Sequence, residues 1–145
     1  MNKNQAVARI GKKPDTIWTI GHSNVSIDVF LALLQSVKIG TVIDCRSKPQ
    51  SRWRQFGHSA LARHLVYADI FYEWRGQNVG GLGGNVDYQE TLNEIADRAS
   101  REHIAIMCSE GKPEQCHRGT ELTLELEKRG VQVLHLRYDK QGRLL

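Results

Sequence analysis

The hydrophobic and polar positions of this chain alternate between strand-like and helix-like segments. Thr16-Ile17-Trp18-Thr19-Ile20 is a β-branched and aromatic run and predicts a first strand, ended by Gly21-His22-Ser23-Asn24. Ile27, Phe30, Leu31 and Leu34 then recur at helical spacing. Ser26 is placed to cap that helix, Asp28 suits its first turn, and Gly40 stops it. Thr41-Val42-Ile43-Asp44-Cys45 is short and apolar enough for a second, parallel strand. An ordered basic loop with Pro49, Trp53 and Phe56 is expected from Arg46 to Gly57, and a short helix from Ser59 to Val66. Ile70-Phe71-Tyr72-Glu73 reads as a third strand. Gly80-Gly81-Leu82-Gly83-Gly84 must be a turn or mobile loop, since glycine leaves the backbone unrestrained. Asp87 with Glu90 has the pattern of a capping box, and Tyr88, Leu92, Ile95, Ala96 and Ala99 share one helical face behind it. His103 to Met107 leads into a fourth strand, Ile104 to Cys108.

After Pro113 two patterns compete. Leu122, Leu124 and Leu126 alternate as in a strand, whereas the Glu, Leu and Lys content and Gly130 favour a helix. Val131 to Leu136 decides between them. It reads as a fifth strand, and parallel neighbours need a long crossover, so a helix is expected before it. The expected fold is therefore α/β and three-layered: a mostly parallel sheet of about five strands with helices on both faces.

Composition narrows the class. A length of 145 residues suits one domain, here residues 16–145, behind a basic and flexible tail over residues 1–15. Hydrophobic content of 40% and charged content of 25% are those of an ordinary globular protein. No apolar run suits a membrane span, and the first residues lack the apolar segment of a signal peptide. Three cysteines, an odd count, predict reduced thiols and a cytoplasmic protein. The net charge of +4 permits an anionic ligand. Lys3, Arg9, Lys12 and Lys13 supply much of that charge, and no aromatic-basic ladder marks a nucleic-acid groove. A small anionic ligand is thus the first candidate partner and nucleic acid the second; nothing indicates an oligomeric state.

The chemistry concentrates between Met107 and Arg118, where Cys108, Glu110, Lys112, Glu114, Cys116, His117 and Arg118 lie between a strand and a helix. In α/β domains ligands bind there, outside the carboxyl ends of strands. Cys108 at a strand end facing a helix N-terminus could have a lowered pKa and act as a nucleophile; the alternative is a buried structural cysteine. His117 and His22 are the candidate acid–base groups and Glu110 their orienting partner. Asp44 and Arg46 share one side of the second strand, with Cys45 on the other. They can bind substrate together with Ser23, Lys48, Ser51 and Arg118, or form a buried network with Glu110 and Arg118. A metal held by Cys108, Cys116 and His117, with His22, is conceivable. The seven residues between the two cysteines are not structural-zinc spacing, so neither metal nor cofactor is predicted. Trp53, Phe56 and Trp74 could stack a base, though core packing is the simpler role for large aromatics.

Four motifs occur in order: Thr19-Ile20-Gly21-His22-Ser23; Asp44-Cys45-Arg46 with Pro49 and Ser51; Leu82-Gly83-Gly84; and Cys108-x-Glu110-x-x-Pro113-x-x-Cys116-His117-Arg118. Together they resemble the domain-of-unknown-function family numbered 488, over roughly Thr16 to Leu136. The resemblance implies a compact α/β domain and brings no settled activity. Cys45 stands where that pattern usually has valine. A fainter likeness in layout links Val42 to Arg46, and a cysteine after a later strand, with rhodanese sulfurtransferases. It implies thiolate chemistry at Cys108, which Glu110 would oppose. The leading expectation is an enzyme acting on a small phosphate- or nucleotide-containing substrate at the strand ends. The alternative is a nucleic-acid-binding or regulatory module with a structural polar cluster.

Overall fold

The computed structural model describes residues 15–110, 112–113 and 116–138, without the side chains of residues 117–119. The tail expected over residues 1–15 lies, apart from Asp15, outside the described residues. The elements in order are β1 (Thr16–Gly21), α1 (Ile27–Ser36), β2 (Thr41–Asp44), a 3₁₀ turn (Arg54–Phe56), α2 (His58–Tyr67), β3 (Phe71–Trp74), α3 (Gly76–Val79), α4 (Tyr88–Arg98), β4 (Ile104–Cys108), α5 (His117–Glu127) and β5 (Gln132–His135). The strands form one five-stranded sheet in the order β3-β2-β4-β1-β5, and every pairing is parallel. The α/β fold expected from the sequence is the one observed.

Strand alternation divides the core in two. Ile17, Ile43, Cys45, Ile104 and Ile106 face α4 and α5, through Leu92, Ile95, Leu122 and Leu126. Ile20, Val42, Ala105 and Met107 face α1 and α2, through Phe30, Leu34, Leu61 and Leu65. The competing periodicities after Pro113 resolve as a helix: Leu122 and Leu126, one turn apart, are buried, and Leu124 is exposed. Ser26 caps α1, its Oγ accepting from the Val29 amide at 3.2 Å. Among the described residues no helix is long and apolar enough to cross a membrane.

One local expectation fails and one element is unforeseen. Asp87 precedes α4 in the left-handed region (φ 52°) and makes no side-chain cap bond, so the capping box does not form. A cap residue needs extended backbone to aim its oxygen at the helix amides. Here the approach is fixed instead by Val86, whose amide donates to Gln77 O and whose carbonyl accepts from Asn78 Nδ2. The short helix α3 was not expected. Its first residue, Gly76, lies against the Arg46 carbonyl, and a Cβ there would come within 2.0 Å of that oxygen. Trp74 Nε1 donates to the same oxygen at 2.7 Å. Gly76→Ala is therefore expected to lose at least about 1–3 kcal/mol in urea unfolding, because the atom it meets is backbone and cannot swing aside. A loss under about 0.5 kcal/mol would show that α3 is free to shift.

Candidate functional site

The chain leaves β1 toward α1 on one face of the sheet, and leaves neighbouring β4 toward α5 on the other. Adjacent strands whose connections diverge in this way leave a crevice at their carboxyl ends. Gly21 and Cys108 are level in the register. The pairing continues past the strands, with the His22 amide donating to Cys108 O at 3.1 Å and the Ser23 amide to Ser109 O at 3.0 Å. Ser23 then turns into the left-handed region (φ 47°), an uncommon conformation for a non-glycine residue and one enriched at functional sites. The cleft above has a volume of about 460 Å³. His22, Ser23 and Asn24 line it from β1, Ser109 and Glu110 from β4, and Gln50 to Trp53 from the basic loop.

His22 is only 4% exposed. Its ring stacks on Phe56, centroids 4.5 Å apart and planes 13° from parallel. Nδ1 lies 2.7 Å from the Ser23 carbonyl oxygen. A carbonyl can only accept, so Nδ1 carries the hydrogen, and in the neutral ring Nε2 is left as a lone pair. That Nε2 is buried and has no hydrogen-bond partner among the described residues. Burial lowers the His22 pKa from its ordinary value of 6.5, against the Ser23 hydrogen bond, which raises it. Arg46 lowers it further, and Asp44 and Glu110 raise it.

Beneath the cleft lies a closed polar network. Asp44 and Arg46 are 0% and 2% exposed and pair at 2.8 Å. Asp44 Oδ1 accepts from Arg46 Nε at 2.9 Å and from the Arg46 amide at 3.1 Å. Tyr72 OH donates to Asp44 Oδ2 at 2.6 Å; burial first, then this bond, pushes the tyrosine pKa up. Arg46 Nη1 donates to the Phe56 carbonyl at 2.7 Å. The guanidinium thus holds the backbone of the residue whose ring supports His22. The buried-network expectation holds for Asp44 and Arg46, but their partners are Tyr72 and Phe56 rather than Glu110, which is exposed on the cleft.

The thiols have a separate setting. Cys45, Cys108 and Cys116 line a cavity of about 20 Å³ among Ile106, Leu122 and Leu126. Cys108 is 9% exposed. Its hydrogen bond with Cys116 and then its burial push the thiol pKa up. This is opposite to the lowering expected for a cysteine facing a helix N-terminus, because a second thiol and burial both favour the protonated form. Among the described residues no group of three or more His, Cys, Asp or Glu is arranged to hold a metal ion.

Of the residues singled out from the sequence, His22, Ser23, Ser51 and Glu110 meet at the cleft. Ser51 Oγ accepts from the Trp53 amide at 3.0 Å. Asp44 and Arg46 lie sealed below, and Cys108 lines the thiol cavity. Lys48 is exposed and outside the lining. His117 and Arg118 fall in the first turn of α5, and their side chains are outside the described residues. Sequence reasoning missed Asn24, Gln50, Arg52 and Ser109 as cleft residues. It also placed Trp53 with the core aromatics; Trp53 is 37% exposed, with the Arg52 guanidinium 5.2 Å from its ring centre. Phe56 alone of that group is fully buried.

The motif-based resemblance can now be set beside known proteins. A model of the family Domain of unknown function DUF488 matches residues 26–85. The chain resembles DUF488. The match includes β2, the basic loop and α3, and hence Asp44, Arg46, Phe56 and Tyr72; His22 and Cys108 lie outside it. No curated protein and no solved structure matches the chain. The DUF488 description carries no activity, so the functional reading rests on the geometry.

Proposed function

We propose that the chain is an enzyme acting on a small anionic substrate in the cleft at the carboxyl ends of β1 and β4, with His22 as general base. The observation that supports this most is the unpartnered, buried Nε2 of a ring whose other nitrogen is fixed by Ser23. A buried histidine without a second partner is costly, and such a cost is characteristic of sites where a substrate supplies the partner. Its lowered pKa keeps the ring neutral at pH 7, as a base requires. Arg52 is the cation in the cleft lining that can take an anionic group, and Glu110 in the same lining orients the base or a substrate hydroxyl. In this reading Arg46 and Asp44 position His22 through Phe56 instead of touching substrate, and no step passes through Cys108, which is protonated and nearly closed to solvent.

Thermal shift against nucleotides, sugar phosphates and small carboxylic acids tests the binding half. A ligand at about a hundred times its Kd stabilises the native state by roughly 2.7 kcal/mol, which raises Tm by several degrees. The shift should vanish in Arg52→Gln. Absence of any shift across phosphates and carboxylates would remove the anionic substrate from the reading.

A second reading has its own support. Lys48, Arg52, Arg54 and Arg63 are exposed along one segment with the accessible Trp53, a basic and aromatic surface suited to single-stranded nucleic acid. It predicts a labelled oligonucleotide bound at low salt and released as salt rises, equally by wild type and by His22→Gln.

A further inference from the structure

The cleft that holds His22 carries a charge pattern that a general base alone does not explain. Its described lining contains one cation, Arg52, and one carboxylate, Glu110. Both residues are exposed. Among the described residues neither forms an ion pair, with the other or with any third group. The Arg52 guanidinium rests instead against the Trp53 ring, 5.2 Å from its centre, and that ring lines the same cleft. Glu110 follows Ser109, whose carbonyl accepts from the Ser23 amide, so the carboxylate is carried by the strand-end pairing that also carries His22. In the same lining the buried Nε2 of His22 stands without a partner among the described residues. The described lining is thus neutral in sum, with one positive and one negative charge both uncommitted.

We propose that the substrate of this cleft is a zwitterion, an amine-bearing carboxylate such as an amino acid or a dipeptide, with its carboxylate on Arg52 and its ammonium on Glu110. This class rests on the cleft being the substrate site, as proposed above, and narrows the anionic group taken by Arg52 to a carboxylate. A guanidinium holds a carboxylate through two parallel hydrogen bonds. A phosphate monoester carries about 1.5 to 2 negative charges at pH 7. One arginine would leave that charge under-neutralised, beside a carboxylate in the same lining. An ionised carboxylate only accepts hydrogen bonds, so Glu110 requires a donor, and a cationic donor binds it most strongly. An ammonium has hydrogens for more than one acceptor. Glu110 takes one, and Nε2, on whose ring the Glu110 charge acts, can take another. The exposed part of the Trp53 ring offers an apolar surface to the rest of the substrate. A cleft of about 460 Å³ lies in the usual range for small-molecule sites.

Titration calorimetry and thermal shift test the class with matched probes. These are the coded amino acids and glycylglycine at millimolar concentration, against acetate, inorganic phosphate, a sugar phosphate and a nucleotide. At least one zwitterion should bind and raise Tm. Its N-acetyl form lacks the ammonium and its carboxamide lacks the carboxylate. Each should bind about 10- to 100-fold more weakly, the usual loss for a charged hydrogen bond. Glu110→Gln should weaken the zwitterion by a similar factor and leave the N-acetyl form unchanged. Arg52→Gln should weaken it likewise, with the carboxamide as the unaffected probe. Both residues are exposed, so each variant should keep the wild-type Tm without ligand. Phosphates or acetate bound through Arg52 while every zwitterion fails would overturn the zwitterion and leave the anionic site standing. An N-acetyl form that binds as tightly as its parent, or an amino acid whose affinity neither variant changes, would overturn it too. Binding of none of the probes would remove both the zwitterion and the anionic site.

Discussion

Asp44→Ala is expected to cost about 3–5 kcal/mol of folding free energy, because it leaves a buried guanidinium without its counter-charge. Asp44 takes three bonds from Arg46 and one from Tyr72, and neither charged side chain reaches solvent. Removing the carboxylate strands every one of those donors, and desolvation is not recovered by small rearrangements in a site between two β-strands and a 3₁₀ turn. Against a total stability of about 5–15 kcal/mol, the loss is large enough to lower the urea midpoint severely at an unchanged slope. The double variant Asp44→Leu/Arg46→Met removes both charges together and should recover most of the loss, since paired buried charges contribute little beyond an apolar pair of similar volume. A single variant that loses under about 1 kcal/mol, or a double variant no better than the single, would refute this account of the network.

The same residues show what the sequence can and cannot convey. Asp44 and Arg46 are two apart on a strand, so alternation alone placed them on one side and Cys45 on the other, as observed. Their outside partners depend on strand order. Tyr72 reaches Asp44 because β3 pairs with β2, and Phe56 arrives on a loop whose path carries no periodicity. β2 and β4 were legible because strands covered on both faces are short, mostly apolar runs, and β1 because β-branched and aromatic residues favour extended chain. The competing periodicity at Leu122, Leu124 and Leu126 resolved through topology, since β5 is parallel to β1. Helix α3 was illegible for the opposite reason. Nothing local favours Gly76 to Val79 as a helix; close approach to the Arg46 carbonyl requires glycine there. At the site, strand ends identified His22 and Ser23, whereas Arg52 and Trp53 looked like ordinary loop and core residues. The Cys108 pKa was expected in the wrong direction because the helix N-terminus was foreseen and the second thiol at its head was not.

His22→Gln should lower turnover by about 10²- to 10⁴-fold, the usual contribution of a positioned general base. Glutamine keeps a donor that can reach the Ser23 carbonyl but has no titrating lone pair. Ligand affinity, carried by Arg52, should change much less, so the loss belongs in kcat and not in KM. The wild-type rate should rise with pH through the lowered His22 pKa and level off above it, while the variant lacks that limb. Stability gives an independent check that needs no substrate. The folded state holds the ring neutral, and the unfolded chain titrates near 6.5. Between the two values the unfolded chain binds the extra proton. The His22 contribution is therefore complete above pH 6.5 and is lost as pH falls toward the folded pKa. The slope attributable to this ring is at most about 1.4 kcal/mol per pH unit, and His22→Gln should remove it. Histidine NMR reads the decisive quantity directly. A His22 resonance that titrates well above pH 7 would mean a ring charged at neutral pH, and a cation at that position cannot begin a proton abstraction.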